Sequence, residues 1–343
     1  MKVAFVLSVH LSDDERVWYQ EAKSLSDAGC EVFVVTEDWK AQLLDIQPNV
    51  LICDHPGAII LAYQYKRHTT QPVRIIYDVT EWYPSKKYLR GASFLKTRLK
   101  FIALIAIVYC IAWLVDGFIF GEYYKARPFR CLFPWKKYVY LSYYADPQQI
   151  TTYPFRDISK QCVLLYAGTL TKEKGFDRVI HVAQTAAIRF SDTRFTLRIL
   201  SKEEREIESN LPNLEVQVLP FLPFPDFCAE IGKADIFLDL RSNDIENTHC
   251  LPIKLFYYMA AQRPVIYSNL RAIKKEVPEI TQAGLLVNPN DINTIVSQIG
   301  RYIHDKTEYQ RAGQLARQLT EAKYNWARIA PTFVQFITQN GNV

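Results

Sequence analysis

Along this chain, short continuous apolar runs alternate with segments whose apolar residues recur at helical spacing. Val3 to Val9 is a run of the kind a buried parallel strand requires. Arg16 to Ala28 then places Val17, Ala22, Leu25 and Ala28 on one helical face, and Gly29 follows as a natural C-cap before the strand Glu31 to Thr36. Helix Ala41 to Ile46, strand Val50 to Cys53, helix Ala58 to His68 and strand Arg74 to Val79 continue the alternation. This pattern predicts an α/β fold with a right-handed, doubly wound parallel sheet. The carboxyl ends of such strands form a ligand crevice, here expected to gather Ser8-Val9-His10, Asp54-His55 and Asp78-Val79-Thr80-Glu81.

Phe101 to Val115 carries no charge over fifteen residues, short of the roughly 20 that a spanning helix needs. It is read as a core helix feeding the strand Gly117 to Phe120. After Pro154 a second series begins. Strand Cys162 to Ala167 leads through the loop Gly168 to Gly175 into a helix marked by Phe176, Val179, Ile180, Ala183, Ala187 and Phe190. Strands Arg194 to Leu200, Leu214 to Leu219, Asp235 to Leu240, Pro264 to Tyr267 and Gly284 to Val287 follow, with helices expected between them. A second doubly wound sheet results. Lys306 to Phe336 reads as helical, with Trp326 and two phenylalanines to pack back on the first domain. The expected division is residues 1–154, 155–323 and a closing helical segment 324–343.

Composition agrees with two globular domains: 343 residues, 49% hydrophobic and 22% charged. The seven cysteines are scattered without a C-x-x-C or Cys/His cluster, which argues for reduced thiols in a cytoplasm and against a disulfide framework or zinc site. Asp13-Asp14-Glu15 follows the first apolar run directly, so that run reads as a strand and not as a signal peptide. Charge is uneven. Between Pro84 and Ala145 eleven Lys/Arg stand against Asp116 and Glu122, a local +9 within a net charge of +5, leaving −4 for the rest. Lys86-Lys87-Tyr-Leu-Arg90 and Phe94-Leu-Lys96-Thr-Arg98-Leu-Lys100 mix basic, aromatic and aliphatic residues as interfacial segments do. The expected partner is an anionic membrane surface; no groove-reading or RNA-binding motif accompanies the patch, so nucleic acid is not expected.

The densest chemistry lies between Ile245 and Tyr267: a polar loop to Leu251, a helix opened by Pro252, a break at Gln262-Arg263 and a strand. Lys254 falls in the first helical turn, where free N–H groups and the positive end of the helix dipole disfavour a cation. A lysine there suggests an anion beside it, and helix starts after strands are ready phosphate sites. The loop Gly168-Thr-Leu-Thr-Lys-Glu-Lys-Gly175 adds Lys172 and Lys174 at a second strand-to-helix junction, although its spacing is neither a Walker loop nor a dinucleotide fingerprint. His10 fits a strand-end cap as well as a substrate contact, and one of Asp13 and Asp14 fits a helix N-cap.

Four segments carry a resemblance: His10 to Arg16 with Glu21 to Gly29, Tyr77-Asp-Val-Thr-Glu-Trp-Tyr-Pro84, Leu165 to Gly175, and Leu251-Pro-Ile-Lys-Leu-Phe-Tyr-Tyr-Met-Ala261. In them the chain resembles glycosyltransferases of the GT-B architecture, in the family 4-like (group 1) class, and bacterial enzymes of surface-polysaccharide assembly in particular. The resemblance implies two Rossmann-like domains facing across a cleft. It also implies a nucleotide-sugar co-substrate with no other cofactor, retention at the anomeric carbon, and no metal held by an Asp-x-Asp motif. Carried over by position, Gly168, Lys174, Glu246, His249, Leu251, Pro252, Lys254 and Tyr257 would form the donor site. Asp78, Glu81 and His10 would be catalytic, with Asp14 and Arg16 on the acceptor side. The acceptor would be a glycan or a lipid-linked intermediate, placing the protein peripherally on the inner face of the cell membrane. Three departures from the family pattern involve four positions. His249 and Tyr257 stand where relatives have paired glutamates, Thr80 where a histidine is common, and Thr169 where an arginine is common. The alternative raised by these departures is a catalytically degenerate GT-B protein serving as a scaffold or partner subunit.

Overall fold

The computed structural model describes residues 1–7, 15–36, 38–80 and 94–339. The chain divides into two compact units, one formed by Met1–Tyr143 with Ile329–Val343 and the other by Tyr144–Arg328. Each is built on a six-stranded, wholly parallel sheet.

In the first unit β1 (Lys2–Val6) is followed by a π-helical stretch Val17–Ala22 that runs into α1 (Lys23–Asp27), then β2 (Glu31–Val35), α2 (Trp39–Ile46), β3 (Val50–Cys53) and α3 (Pro56–His68). β4 (Arg74–Val79), α4 (Phe94–Ala112), β5 (Gly117–Phe120), α5 (Tyr123–Leu132) and β6 (Lys137–Tyr140) complete it. The strand order is β2-β1-β3-β4-β5-β6. Gly29 takes the positive φ of +81° that ends the first helix, as its position after the apolar stripe predicts. Residues on both faces of the central strands are buried, Ile75, Tyr77, Phe118 and Phe120 on one face and Ile76 and Ile119 on the other.

Two elements here depart from the sequence reading. β6 and α5 were not anticipated, because β6 is an edge strand in which only Val139 is buried and α5 contains Pro128. The apolar stretch expected to be a core helix is α4, and most of it faces outward: Leu95, Leu99, Phe101, Ile102 and Ile107 are exposed, whereas Val108 and Ala112 enter the core. Apolar composition alone does not fix burial, for the outward stripe here is as apolar as the inward one.

The second unit runs β7 (Gln161–Ala167), α6 (Phe176–Arg189), β8 (Arg194–Leu200), β9 (Leu214–Leu219), α7 (Phe224–Ile231), β10 (Ile236–Asp239), α8 (Ile245–Thr248) and α9 (Ile253–Ala260). It continues with β11 (Val265–Ser268), α10 (Arg271–Glu276), α11 (Ile280–Ala283), β12 (Gly284–Val287), α12 (Ile292–His304) and α13 (Lys306–Ala322). α14 (Trp326–Thr338) begins in this unit and ends in the first, where the Arg74 guanidinium donates to the Ile337 carbonyl at 2.9 Å. The stretch 306–336, read as helical from sequence, is formed by α13 and α14. The β8-to-β9 crossover, 201–213, contains no helix, contrary to expectation.

The strand order β12-β11-β10-β7-β8-β9 fixes where a ligand crevice can form. From β7 the chain moves outward through β8 and β9, then returns to the other side of β7 with β10. The switch point lies between β7 and β10, and the carboxyl ends of those two strands are Ala167 and Asp239.

Candidate functional site

At the end of β7 the chain turns sharply under tight constraint. The Gly168 N–H still pairs with the Leu200 carbonyl of β8 at 2.9 Å, and the Tyr166 hydroxyl donates to the Thr169 carbonyl at 2.8 Å, folding the loop back on its strand. Gly175 ends the loop with φ +88°, and a Cβ there would lie 2.1 Å from the Leu240 carbonyl oxygen, so only glycine fits. The Ser242 N–H donates to the Glu173 carbonyl at 2.8 Å. Arg178, in the first turn of α6, donates to the Leu240 carbonyl at 2.7 Å and the Ser242 hydroxyl at 3.0 Å. These bonds fasten the first loop to the segment that leaves β10, and so build the floor of the switch-point crevice.

That second segment carries a buried ion pair the sequence reading missed. The Arg241 guanidinium forks onto Asp239, Nε to Oδ1 at 2.9 Å and Nη2 to Oδ2 at 2.7 Å, and Tyr267 donates to Asp239 Oδ2 at 2.6 Å. Asp239 is 1% and Arg241 7% exposed. Burial works against both charges, but their mutual attraction outweighs it: the Asp239 carboxyl is held below the usual range and the Arg241 guanidinium well above its own. The only sequence signal for this pair was two opposite charges ending a strand otherwise composed of apolar residues.

α8 is a single turn capped by Asp244, whose carboxylate accepts from the N–H groups of Glu246 and Asn247 at 3.1 and 3.0 Å. It presents the Asn247 amide oxygen to Lys174 Nζ at 3.3 Å. Lys174 remains solvent-accessible along its length, yet surrounding protein and the nearby Arg241 charge lower its pKa. α9 follows with Pro252 as its N-cap, one residue before the helical position expected. Lys254 is therefore the second helical residue, and its Nζ donates to the Ala167 carbonyl at 2.6 Å. Tyr258, one turn on, accepts from the Ala167 N–H at 3.2 Å, so α9 bonds to both the N–H and the carbonyl of the last residue of β7. A Cβ on Gly168 would lie 3.3 Å from Lys254 Nζ.

Of the donor-site residues proposed from sequence, the structure thus brings Gly168 and Lys254 together at the end of β7, and sets Lys174 beside Asn247 and Arg241. Leu251 and Pro252 are buried at the start of α9. The His249 ring Nδ1 lies 2.9 Å from the Ile245 carbonyl, which can only accept, so that nitrogen carries the hydrogen. Glu246 lies on α8 and is half-buried. Tyr257 is 1% exposed, its ring wedged against Phe224 at 5.6 Å and Phe227 at 5.8 Å. A carboxylate in that aromatic slot would be costly to bury, so the glutamate of the family pattern does not suit this packing. Tyr257→Phe keeps the rings in contact and is expected to change stability by less than about 1 kcal/mol and leave nucleotide binding within about twofold. Calorimetry and thermal denaturation check this; a large loss of nucleotide affinity would instead give the hydroxyl a binding role.

In the first unit, Arg16 and Asp78 meet. The Arg16 guanidinium bonds to the carboxylates of both Asp78 and Glu21, and stacks 4.7 Å over the Tyr143 ring. The π-helical stretch explains the Glu21 contact: residues five apart, which diverge on an α-helix, come into line where the chain winds with i→i+5 periodicity. The Tyr143 hydroxyl donates to Asp78 Oδ1 at 3.1 Å, and burial followed by the Asp78 charge pushes the phenol's pKa well up. Arg16 is 5% and Asp78 1% exposed. Beside them Lys125 bonds to the Thr80 carbonyl and pairs with Glu122 at 2.9 Å, both side chains buried. His10, Asp14 and Glu81 lie outside the described residues.

A separate depression of about 810 Å³ lies between the 201–213 crossover and β9, and Glu203, Glu204, Glu206 and Glu208 line it with Arg205. Four carboxylates oppose an anionic ligand there. The arrangement able to receive one is the switch-point cluster, where two lysines, two helix starts and a buried arginine converge.

Residues 161–305 match the family model described as glycosyl transferases group 1. Among solved structures, the chain is similar to sucrose-phosphate synthase from Thermosynechococcus elongatus, with a TM-score of 0.72 at 16% identity over 98% of each chain. It is also similar to Anabaena HepE in complex with UDP, with a TM-score of 0.68 at 11% identity over 98% of this chain and 100% of that one. WaaG, a glycosyltransferase involved in lipopolysaccharide biosynthesis, gives 0.68 at 12% identity over the same shares. No curated protein sequence matches the chain. Two parallel six-stranded sheets flanked by helices, matched over nearly their full length by these structures, define the GT-B fold. Residues 161–305, less than half of the chain, match the glycosyl transferases group 1 model, and the solved structures are like the chain in this fold.

Proposed function

We propose that this protein is a glycosyltransferase, moving a hexose-type sugar from a nucleotide diphosphate sugar, held by the second unit, to a glycan or lipid-linked acceptor. The observation that carries this reading is the convergence of Lys174 and Lys254 on the carboxyl ends of β7 and β10. There Lys174 Nζ donates to the Asn247 amide oxygen and Lys254 Nζ to the Ala167 carbonyl, acceptors that a diphosphate can replace. Negative charge grows on the departing nucleotide diphosphate as the sugar bond breaks, so pre-placed cations and α9 N–H groups stabilise the transition state more than the ground state. Uridine is our choice of nucleoside, because HepE, similar in fold, is found in complexes with UDP and UDP-glucose.

Retention at the anomeric carbon, a role for Asp78 with Glu81 and His10 in orienting the sugar or acceptor, and Arg16 and Asp14 on the acceptor side belong to the same proposal. The sequence contains no Asp-x-Asp triplet, so charge on the diphosphate is assigned to lysines. Work in surface-polysaccharide assembly, peripherally on the inner face of the membrane, is supported by the basic stretch from Pro84 to Ala145 and by the likeness to WaaG.

A thermal-shift panel of UDP, GDP, dTDP, CDP and ADP tests the donor reading. A ligand at 100 times its dissociation constant stabilises the folded state by about 2.7 kcal/mol, and UDP is expected to give such a shift. If no nucleoside diphosphate shifts the transition at millimolar concentration, the donor site is absent and the scaffold alternative replaces the transferase reading.

A further inference from the structure

We infer that α4 lies in the plane of an anionic membrane surface with its outward apolar stripe sunk below the lipid headgroups. This rests on the reading that the chain works at a membrane, and goes beyond it by replacing attachment through surface charge alone with insertion.

Leu95, Leu99 and Ile102 recur at i, i+4, i+7 on the outward face, and their exposures are 68%, 61% and 63%. Ala106 and Cys110, both exposed, continue that spacing, and Trp113 at 60% carries the stripe beyond the end of the helix, toward Trp135, whose ring centre lies 5.4 Å from that of Trp113 and which is 60% exposed. An apolar strip running the length of a 19-residue helix is far more than scattered surface leucines, and in water it is a standing cost.

Charge identifies what covers it. Lys96, Arg98 and Lys100 are exposed among the apolar residues of the helix, and Arg127 and Arg130 are exposed on α5. From Pro84 to Ala145 the only acids are Asp116 and Glu122, and Glu122 is buried. A basic, apolar surface complements a bilayer with anionic headgroups better than it complements water or another copy of itself, whose like charges would be brought face to face. Among the described residues no helix is long and apolar enough to cross a membrane, and three cations in the first two turns keep that end at headgroup level. Indole rings at the other end suit the same depth.

The test is co-sedimentation with vesicles of phosphatidylcholine, with and without phosphatidylglycerol, across a salt series. It is paired with tryptophan quenching by lipids brominated on the acyl chain. The inference predicts binding to the anionic vesicles that persists in part at high salt, quenching that falls in Trp113→Phe, and binding at least about tenfold weaker in Ile102→Glu. Because Ile102 faces outward, that variant should keep the wild-type circular dichroism and the wild-type response to UDP. Binding abolished by salt, without quenching and unchanged in Ile102→Glu, would leave the membrane reading standing and overturn insertion. No binding to any vesicle would overturn both. Concentration-dependent dimerisation lost in Ile102→Glu, in place of vesicle binding, would make the face a protein interface.

Discussion

Lys254→Ala is expected to weaken UDP binding by about 10- to 150-fold, the equivalent of one charge-assisted hydrogen bond of about 1.5–3 kcal/mol. The loss should be greater in turnover than in ground-state affinity, since the ammonium faces a group whose charge rises as the bond to the sugar breaks. Stability should hardly change. Lys254 is half-buried, and the Ala167 carbonyl it leaves retains the parallel-sheet surroundings of β7 and the Tyr258 contact on the same residue's N–H. Lys254→Arg restores the charge but not the point-like ammonium, since a planar guanidinium is the bulkier head group to place beside Gly168. Titration calorimetry on the three proteins reads the affinities. Equal affinity in wild type and Lys254→Ala would remove the lysine from the donor site.

Asp239→Ala is expected to destabilise the second unit by about 3–5 kcal/mol, because it leaves the Arg241 guanidinium buried without its carboxylate. Tyr267, whose hydroxyl donates to the same carboxylate, loses its acceptor as well. A double variant, Asp239→Ala with Arg241→Met, should recover much of that loss, since the cost lies in the unpaired charge rather than in the absence of a salt bridge. The pH dependence follows from the direction of the Asp239 shift. Its folded-state pKa lies below the ordinary carboxylate value of about 3.9, so the stabilisation is complete above that pH and is lost as the pH falls through the lower, folded value. Arg241 stays protonated throughout. Thermal denaturation from neutral pH downward should show the wild type losing stability in acid and Asp239→Ala losing less over the same range. Parallel curves would mean that the pair does not couple to folding.

Much of the scaffold was legible because parallel strands buried on both faces are written as unbroken apolar runs. Val50–Cys53, Arg74–Val79, Gly117–Phe120, Arg194–Leu200, Leu214–Leu219 and Gly284–Val287 occur where those runs stand. Gly29 marked a helix end through its positive φ. What failed shares one physical cause: patterning reports what a residue would bury, not whether anything is there to bury it. α4 reads as core and faces outward, and β6 reads as loop because an edge strand needs only one inward residue, Val139.

For the candidate site, the helix-start argument singled out Lys254, and the glycines flanking Lys172 and Lys174 pointed to the junction after β7. Neither could reveal the Asp239–Arg241 pair or Asn247. Asn247 meets Lys174 across the switch point between β7 and β10, an adjacency that exists only once the strand order is known, and Arg241 turns back onto Asp239, two residues away, only where the folded chain buries both. The Arg16–Glu21 contact was equally hidden, since an α-helical reading of that stretch points the two side chains apart.

A crystal structure with UDP bound tests the central claim most directly. The account predicts diphosphate oxygens within about 3 Å of Lys174 or Lys254 Nζ and of backbone N–H groups at the start of α9, over the carboxyl ends of β7 and β10. A diphosphate ordered anywhere else on the protein, with both lysines still bonded to Asn247 and Ala167, would contradict it.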